Sequence, residues 1–372
     1  MGVAITIDGL METLGEDRFL ALGGLLIGTL FGILAQRSRF CLRASTLEVA
    51  HGRLGERLAV WLLAFSTALI ATQGLILLGL FDTGSVRQLN NPGSLSGAVI
   101  GGLMFGCGMT LTRACASRML VLAATGNLRA LLSGLVFAVV AQAALRGVLS
   151  PAREAINGWW TVGSAQRDLL ALAGVGHDGA LLFALGWLAA GAMIARRNRL
   201  SGWSWLGAAG VGLTVAAAWW FTWRSAAAAF EPVAIHSLSF TAPSADFLML
   251  VLSPPGATWG FDTGLIPGVA LGAFLAGLAG RDLKLEGFSD GSTMRRYIVG
   301  GCLMGFGSVL AGGCAIGAGV SGASIFVLTA WLVLWSMWIG AVLTDRAIDR
   351  KTGRPARARS ADAPAIPPVA AQ

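Results

Sequence analysis

The sequence predicts an all-α polytopic membrane protein with about nine transmembrane helices, short broken or re-entrant helices, and two pseudo-symmetric halves. Three observations predict it. Only 12% of the 372 residues are charged and 55% are hydrophobic, with a mean hydropathy of +0.71, whereas soluble domains carry about 25% charged residues. Apolar runs long enough to cross a hydrocarbon layer of about 30 Å recur along nearly the whole chain. A glycine-rich frame ending in Cys-Ala also occurs twice, as GGLMFGCGMTLTRACA at Gly101 to Ala116 and GGCLMGFGSVLAGGCA at Gly300 to Ala315.

Residues 1–18 read as an N-terminal outer segment. Asp8, Glu12, Glu16 and Asp17 stand there with no basic cluster ahead of an apolar core, so no cleaved signal peptide is expected. Residues 19–223 form the first transmembrane half, with crossings at 19–36, 58–80, 95–112, 129–150, 179–195 and 203–223. Residues 224–262 contain Pro232, Pro243, Pro254 and Pro255 and are too polar to cross, so they read as an outer loop. Crossings at 263–280, 297–315 and 324–344 make up the second half, residues 263–345. Residues 346–372 form a basic, disordered cytoplasmic tail that ends in the Pro- and Ala-rich SADAPAIPPVAAQ.

The net charge of +8 is accounted for by position. With the N-terminus outside, one face receives Arg37, Arg39, Arg43, Arg53 and Arg57, then Arg113, Arg118 and Arg129, then Arg196, Arg197 and Arg199, then Arg281, Lys284, Arg295 and Arg296. The other face receives chiefly Arg87, Arg153, Arg167 and Arg224. This is the positive-inside pattern, so the basic balance calls for membrane lipid and no nucleic acid as partner, with the C-terminus in the cytoplasm.

The two glycine frames align without gaps, and paired glycine-interrupted segments in two halves point to a transport site. A weaker match sets Gly24, Gly28, Leu34, Ala35 and Arg37 against Gly268, Gly272, Leu278, Ala279 and Arg281. The crossing count makes the cysteine-bearing segments antiparallel and the weaker pair parallel. Either a Gly-rich segment therefore dips in and returns, or the weaker match is chance.

Of the five cysteines, Cys107 and Cys302 face Phe306 and Leu103 across the repeat and read as packing residues. Cys115 and Cys314 coincide inside the shared frame, supported by Gly106, Gly108, Gly305, Gly307, Gly312 and Gly313. Cys41 stands among Arg37, Arg39 and Arg43, and Arg113 precedes Cys115 closely; these arginines suit attraction of an anion. No catalytic or metal residue and no cofactor is expected. His51, His177 and His236 fall outside the glycine frames, no zinc spacing occurs, and there is no Walker A motif.

RSRFC at Arg37 to Cys41, the GxGxxLxxxCA frame at Gly106 to Ala116, and GFGSVLAGGCAIGAGVSG at Gly305 to Gly322 resemble the YeeE/YedE family of thiosulfate transporters, also described as the sulphur transport domain. The resemblance implies a many-helix, hourglass-like protein of the bacterial inner membrane. It implies uptake of thiosulfate or a similar sulfur anion along Cys41, Cys115 and Cys314, and a small TusA-like sulfur carrier as cytoplasmic partner. Arg113 and Ala114 stand where Gly312 and Gly313 stand in the second frame, which leaves open whether both copies share one backbone. Three alternatives stay open: an intramembrane thiol enzyme, either sulfurtransferase or oxidoreductase; a transporter of a selenium compound; and a membrane anchor for a soluble sulfur carrier, with the basic loops as docking surface.

Overall fold

The computed structural model describes residues 7–254, 259–288 and 291–352. The chain runs through α1 (Ile7–Leu14), α2 (Glu16–Ser38), α3 (Leu42–Ala50), α4 (Glu56–Leu77), α5 (Arg87–Asn90), α6 (Leu95–Leu111), α7 (Ala116–Ala124) and α8 (Leu128–Arg146). It continues through α9 (Ser150–Asn157), α10 (Leu169–Ala173), α11 (His177–Arg197), α12 (Gly202–Ala228), α13 (Ala242–Leu252), α14 (Phe261–Gly280), α15 (Gly291–Leu310) and α16 (Leu328–Thr352). The strands β1 (Gly93–Ser94) and β2 (Thr161–Val162) pair antiparallel, Gly93 with Val162 and Ser94 with Thr161.

Among the described residues, eight helices are long and apolar enough to cross a membrane. The ninth expected crossing is α15, whose 20 residues include Arg295 and Arg296 in the opening turns; those charges dilute its apolar character. Its helix also stops at Leu310, short of the expected 315, and α16 starts at Leu328, after the expected 324. A π-helical stretch, Gly317–Gly322, occupies the gap. The expected outer loop is partly helical, with α12 reaching Ala228 and α13 inside it. Helix α16 runs on through Thr352, so the start of the expected disordered tail, 346–352, is helical. The rest of that tail, 353–372, lies outside the described residues, as does the start of the N-terminal segment, 1–6.

Helices come together backbone to backbone. Gly24, Gly28 and Gly32 of α2 meet Gly264, Gly268 and Gly272 of α14: a Cβ on Gly28 would sit 2.6 Å from the Leu265 carbonyl oxygen, and one on Gly272 would strike the Thr29 carbonyl. The contacts advance together along both chains, so α2 and α14 are parallel. In α6 and α15 they run in opposite senses. A Cβ on Gly101 would fall 2.6 Å from the Gly307 oxygen, and one on Gly108 2.6 Å from the Gly300 oxygen. Gly101 aligns with Gly300 and Gly108 with Gly307, so the repeated frame packs on itself through a pseudo-two-fold axis. Both orientations thus coexist, and the weaker match marks a parallel glycine ladder offset by one helical turn from the sequence alignment.

The termini of these helices are set by charge and by left-handed residues. Glu16 and Asp17 open α2 and Arg37 closes it, each complementing the helix dipole. Helices α2, α14 and α15 end in the same motif, with Arg39, Arg281 and Gly312 at φ 51°, 54° and 79°. The next N–H groups bond back to the last turn: Phe40 to the Ala35 carbonyl, Asp282 to that of Gly277 and Gly313 to that of Ser308. Arg113 after α6 is likewise left-handed, at φ 59°. Arg113 and Gly312 therefore share one backbone state, although only the glycine adopts it without strain.

Two substitutions test the glycine ladder. Gly28→Ala should destabilise the detergent-solubilised protein by about 1–3 kcal/mol, because its methyl group meets backbone that cannot repack. Gly134→Ala in α8, which faces open space, should be neutral or stabilise by up to ~1 kcal/mol. Thermal unfolding of both variants against the parent checks the pair.

Candidate functional site

Each expected pathway cysteine follows a left-handed residue by two positions and heads a short helical segment: Arg39 to Cys41 before α3, Arg113 to Cys115 before α7, and Gly312 to Cys314 before the π turn. Helices α3 and α7 have 9 residues each. At about 1.5 Å per residue they cannot cross a membrane, so they are the interior halves of broken spans. Cys41 and Cys115 are the N-cap residues of these two helices. The Ala44 and Arg118 backbone N–H groups face their sulfurs, without closing a full cap hydrogen bond. Cys314 Sγ accepts two backbone N–H groups, from Phe240 at 3.3 Å and Gly317 at 3.5 Å. Three sulfurs therefore stand where helix starts leave N–H groups without helical partners, the place where anionic groups are stabilised.

The structure brings two of the three together. Cys41 and Cys115 are neighbours, and Cys115 also meets Ser117 Oγ at 3.5 Å. Cys314 lies toward the opposite end of the bundle, because α15 is antiparallel to α6. Cys115 and Cys314 are fully buried, at 0% and 1% exposure; Cys41 is partly buried. Cys107 Sγ points to the Gly340 carbonyl at 3.6 Å, as a packing residue does.

The supporting residues divide. Gly106, Gly108, Gly305 and Gly307 lie inside unbroken α6 and α15 at helix contacts, so they set spacing and offer no free N–H to a thiol. Only Gly312 and Gly313 lie in a break. Of the arginines, Arg43 sits near Cys41, Arg113 and Asp345, while Arg37 lies by Gly280 and Asp282. Arg39 faces Arg118. Arg118 was missed: it flanks both Cys41 and Cys115, and its Nη1 donates to Gln36 Oε1 at 3.1 Å. Its spacing, three residues after Cys115 on the first turn of α7, was the available signal.

Two polar clusters were not legible. His51 Nε2 lies 3.1 Å from Asp345 Oδ2 and 4.0 Å from Asp349 Oδ2, tying the end of α3 to α16. At the Cys314 end, His177 Nδ1 meets Gln73 Oε1 at 2.8 Å, Gln73 Nε2 donates to the Ser324 carbonyl at 2.7 Å, and Trp219 Nε1 donates to Ser324 Oγ at 3.3 Å. This network pins the helical segment that follows Cys314.

Residues 37–343 match the sulphur transport family. A protein of Escherichia coli (strain K12) named thiosulfate transporter TsuA is 26% identical over 340 residues, covering 86% of this chain and 90% of its own length. A protein of the same name from Spirochaeta thermophila is 29% identical over 334 residues, covering 83% of this chain and 93% of its own length. The family match takes in all three cysteines with the left-handed residues before them and both copies of the glycine frame, and the chain belongs to the sulphur transport family.

Proposed function

We propose that this chain is a transporter that takes up thiosulfate, or a closely related inorganic sulfur anion, across the bacterial inner membrane along Cys41, Cys115 and Cys314. The observation that carries this reading is the repeated placement of sulfur. Three times a helix ends at a left-handed residue, and two residues later a cysteine heads a short segment whose N–H groups face it. The family match and the name carried by both relatives favour a transporter over a thiol enzyme.

The chemistry follows from the ligand. Thiosulfate is a dianion with a soft terminal sulfur, and a bore of fixed cations would hold it too tightly for release. Thiols are weak donors that meet a soft sulfur without fixing it. The N–H groups on Cys314 supply partial positive charge without a counter-ion. Arg43 and Arg118, beside the Cys41–Cys115 pair, draw the anion onward. Burial of Cys115 and Cys314 strips water from the anion where these dipoles act most strongly.

The positive-inside pattern supports an outer N-terminus and a cytoplasmic C-terminus, which puts Cys314 on the outer side and Cys41 with Cys115 on the cytoplasmic side. Residues 19–223 and 263–345 then form the two transmembrane halves, joined by an outer segment at 224–262. Exposed apolar side chains such as Leu26, Leu30, Leu182 and Met193 meet lipid. A small TusA-like carrier suits the cytoplasmic exit, where it removes the anion. Inward movement of each negative charge opposes an inside-negative potential by about 2.3 kcal/mol per 100 mV, so the flow needs a driving partner.

Two experiments test the reading. Cys115→Ala and Cys314→Ala should each lower uptake of radiolabelled thiosulfate by more than ~10-fold at unchanged membrane levels, with Cys→Ser variants retaining part of it; normal uptake by both alanine variants rejects the path. In intact cells, a membrane-impermeant maleimide should label Glu231→Cys and leave Arg197→Cys unlabelled, and the reverse pattern rejects the orientation.

A further inference from the structure

The thiol path leaves one chemically rich region unused. At the end of the bundle that carries Cys314, a cavity of about 460 Å³ opens between the starts of α2 and α14, the end of α8, α13 and the segment following α12. The charged groups on its wall are Glu16 and Asp17 from α2, Glu231 from that segment, Asp246 from α13 and Asp262 from α14, facing Arg146 and His236. Arg146 is paired with Asp246 at 3.0 Å, and Glu16 Oε1 accepts the Phe230 N–H at 2.8 Å. Negative charge is therefore in excess. Such a chamber repels a dianion and concentrates protons and cations.

His236 and Asp262 face each other across it. Asp262 Oδ1 is buried with no hydrogen-bond partner, 3.8 Å from His236 Nδ1, beyond hydrogen-bond length. The same nitrogen lies 3.3 Å from the Ser237 carbonyl, and the imidazole stands edge-on to Phe261 with centroids 5.5 Å apart. Both side chains keep about a quarter of their surface open, 29% and 25%, so water reaches them. A neutral ring with its proton on Nδ1 can rest against Ser237. A second proton, on Nε2, makes the ring a cation, and the unpartnered carboxylate oxygen then attracts it across the gap.

The histidine lies in the segment that builds the Cys314 cradle. Phe240, four residues on, supplies an N–H to Cys314 Sγ at 3.3 Å. Ser321 of the π turn donates to the Leu238 carbonyl at 2.8 Å, Ser237 Oγ to the Val215 carbonyl at 2.7 Å, and Thr222 Oγ1 to the His236 carbonyl at 2.8 Å. The backbone that carries His236 is thus bonded into the same network as the donors around the sulfur.

We propose that His236 and Asp262 form a proton-binding site whose loading tunes the Cys314 cradle for its anion, so that proton binding and anion binding favour each other. The proposal rests on the thiosulfate reading above. The proton binds and leaves unchanged; no bond in the anion is made or broken. Coupling of this kind is reciprocal, so the anion must also draw in the proton.

The test uses the full-length protein in nanodiscs, with thiosulfate binding followed by calorimetry at pH about 5.5 and about 7.5, the range over which histidines change charge. Thiosulfate stays a dianion throughout. The parent should bind ~10-fold more tightly at the lower pH, and in weak buffer thiosulfate should cause proton uptake. His236→Gln and Asp262→Asn should bind with one affinity at both pH values and take up no proton. An unchanged gel-filtration peak and an unchanged thermal unfolding midpoint show that the variants are folded. Equal affinity of the parent at both pH values, or a parental pH response in both variants, overturns the proposal alone. Absence of thiosulfate binding at either pH overturns the substrate reading and this proposal with it.

Discussion

Contact between helix backbones is the constraint on which the rest of this structure depends. In a bilayer, lipid tails are as apolar as leucine, so helices associate through close packing instead of escape from water. Here the closeness is extreme: the missing Cβ atoms of Gly28, Gly101 and Gly108 would all fall 2.6 Å from carbonyl oxygens of a neighbouring helix. With α2 locked to α14 and α6 locked to α15, the helix ends are fixed in space. The left-handed residues after those ends then decide where the chain turns inward, and so where each sulfur lies.

Broken spans are admissible at membrane depth only when protein satisfies the freed backbone groups. This chain does so in two ways. At the ends of α2, α14 and α15 the closing N–H groups fold back on the last turn. At the start of the segment after Cys314, the sulfur itself accepts the Gly317 N–H, and it also accepts that of Phe240 from the segment before α13. The end of α14 makes the contrast plain. Arg281 repeats the left-handed turn, but Leu283 stands where the other breaks hold cysteine and packs toward Gly277 and Thr125. That loop joins the turn after α7 instead, with Lys284 N–H on the Thr125 carbonyl and Glu286 N–H on that of Gly126.

Much of this was legible in the residues. Apolar runs located the long helices because hydrocarbon demands them, and the paired frames located Cys115 and Cys314 because repetition kept sulfur and glycine in register. Other parts were not legible, for physical reasons. A glycine that thins a helix contact and a glycine that ends a helix look alike in sequence, so Gly106 and Gly307 were grouped with Gly312. Arg113 and Gly312 share a backbone state that composition does not reveal. The meeting of His51 with Asp345, of Gln73 with His177, and of His236 with Asp262 spans distances along the chain that no local pattern encodes.

The half-turn that relates α6 to α15 bears on directionality. Inversion exchanges α6 with α15 but not α2 with α14, which run parallel, so only the central pair presents the same backbone to both ends of the bundle. The surroundings of the sulfurs differ between those ends: a second thiol and two guanidinium groups stand beside Cys115, whereas backbone amides, with a carboxylate-rich chamber beyond them, stand beside Cys314.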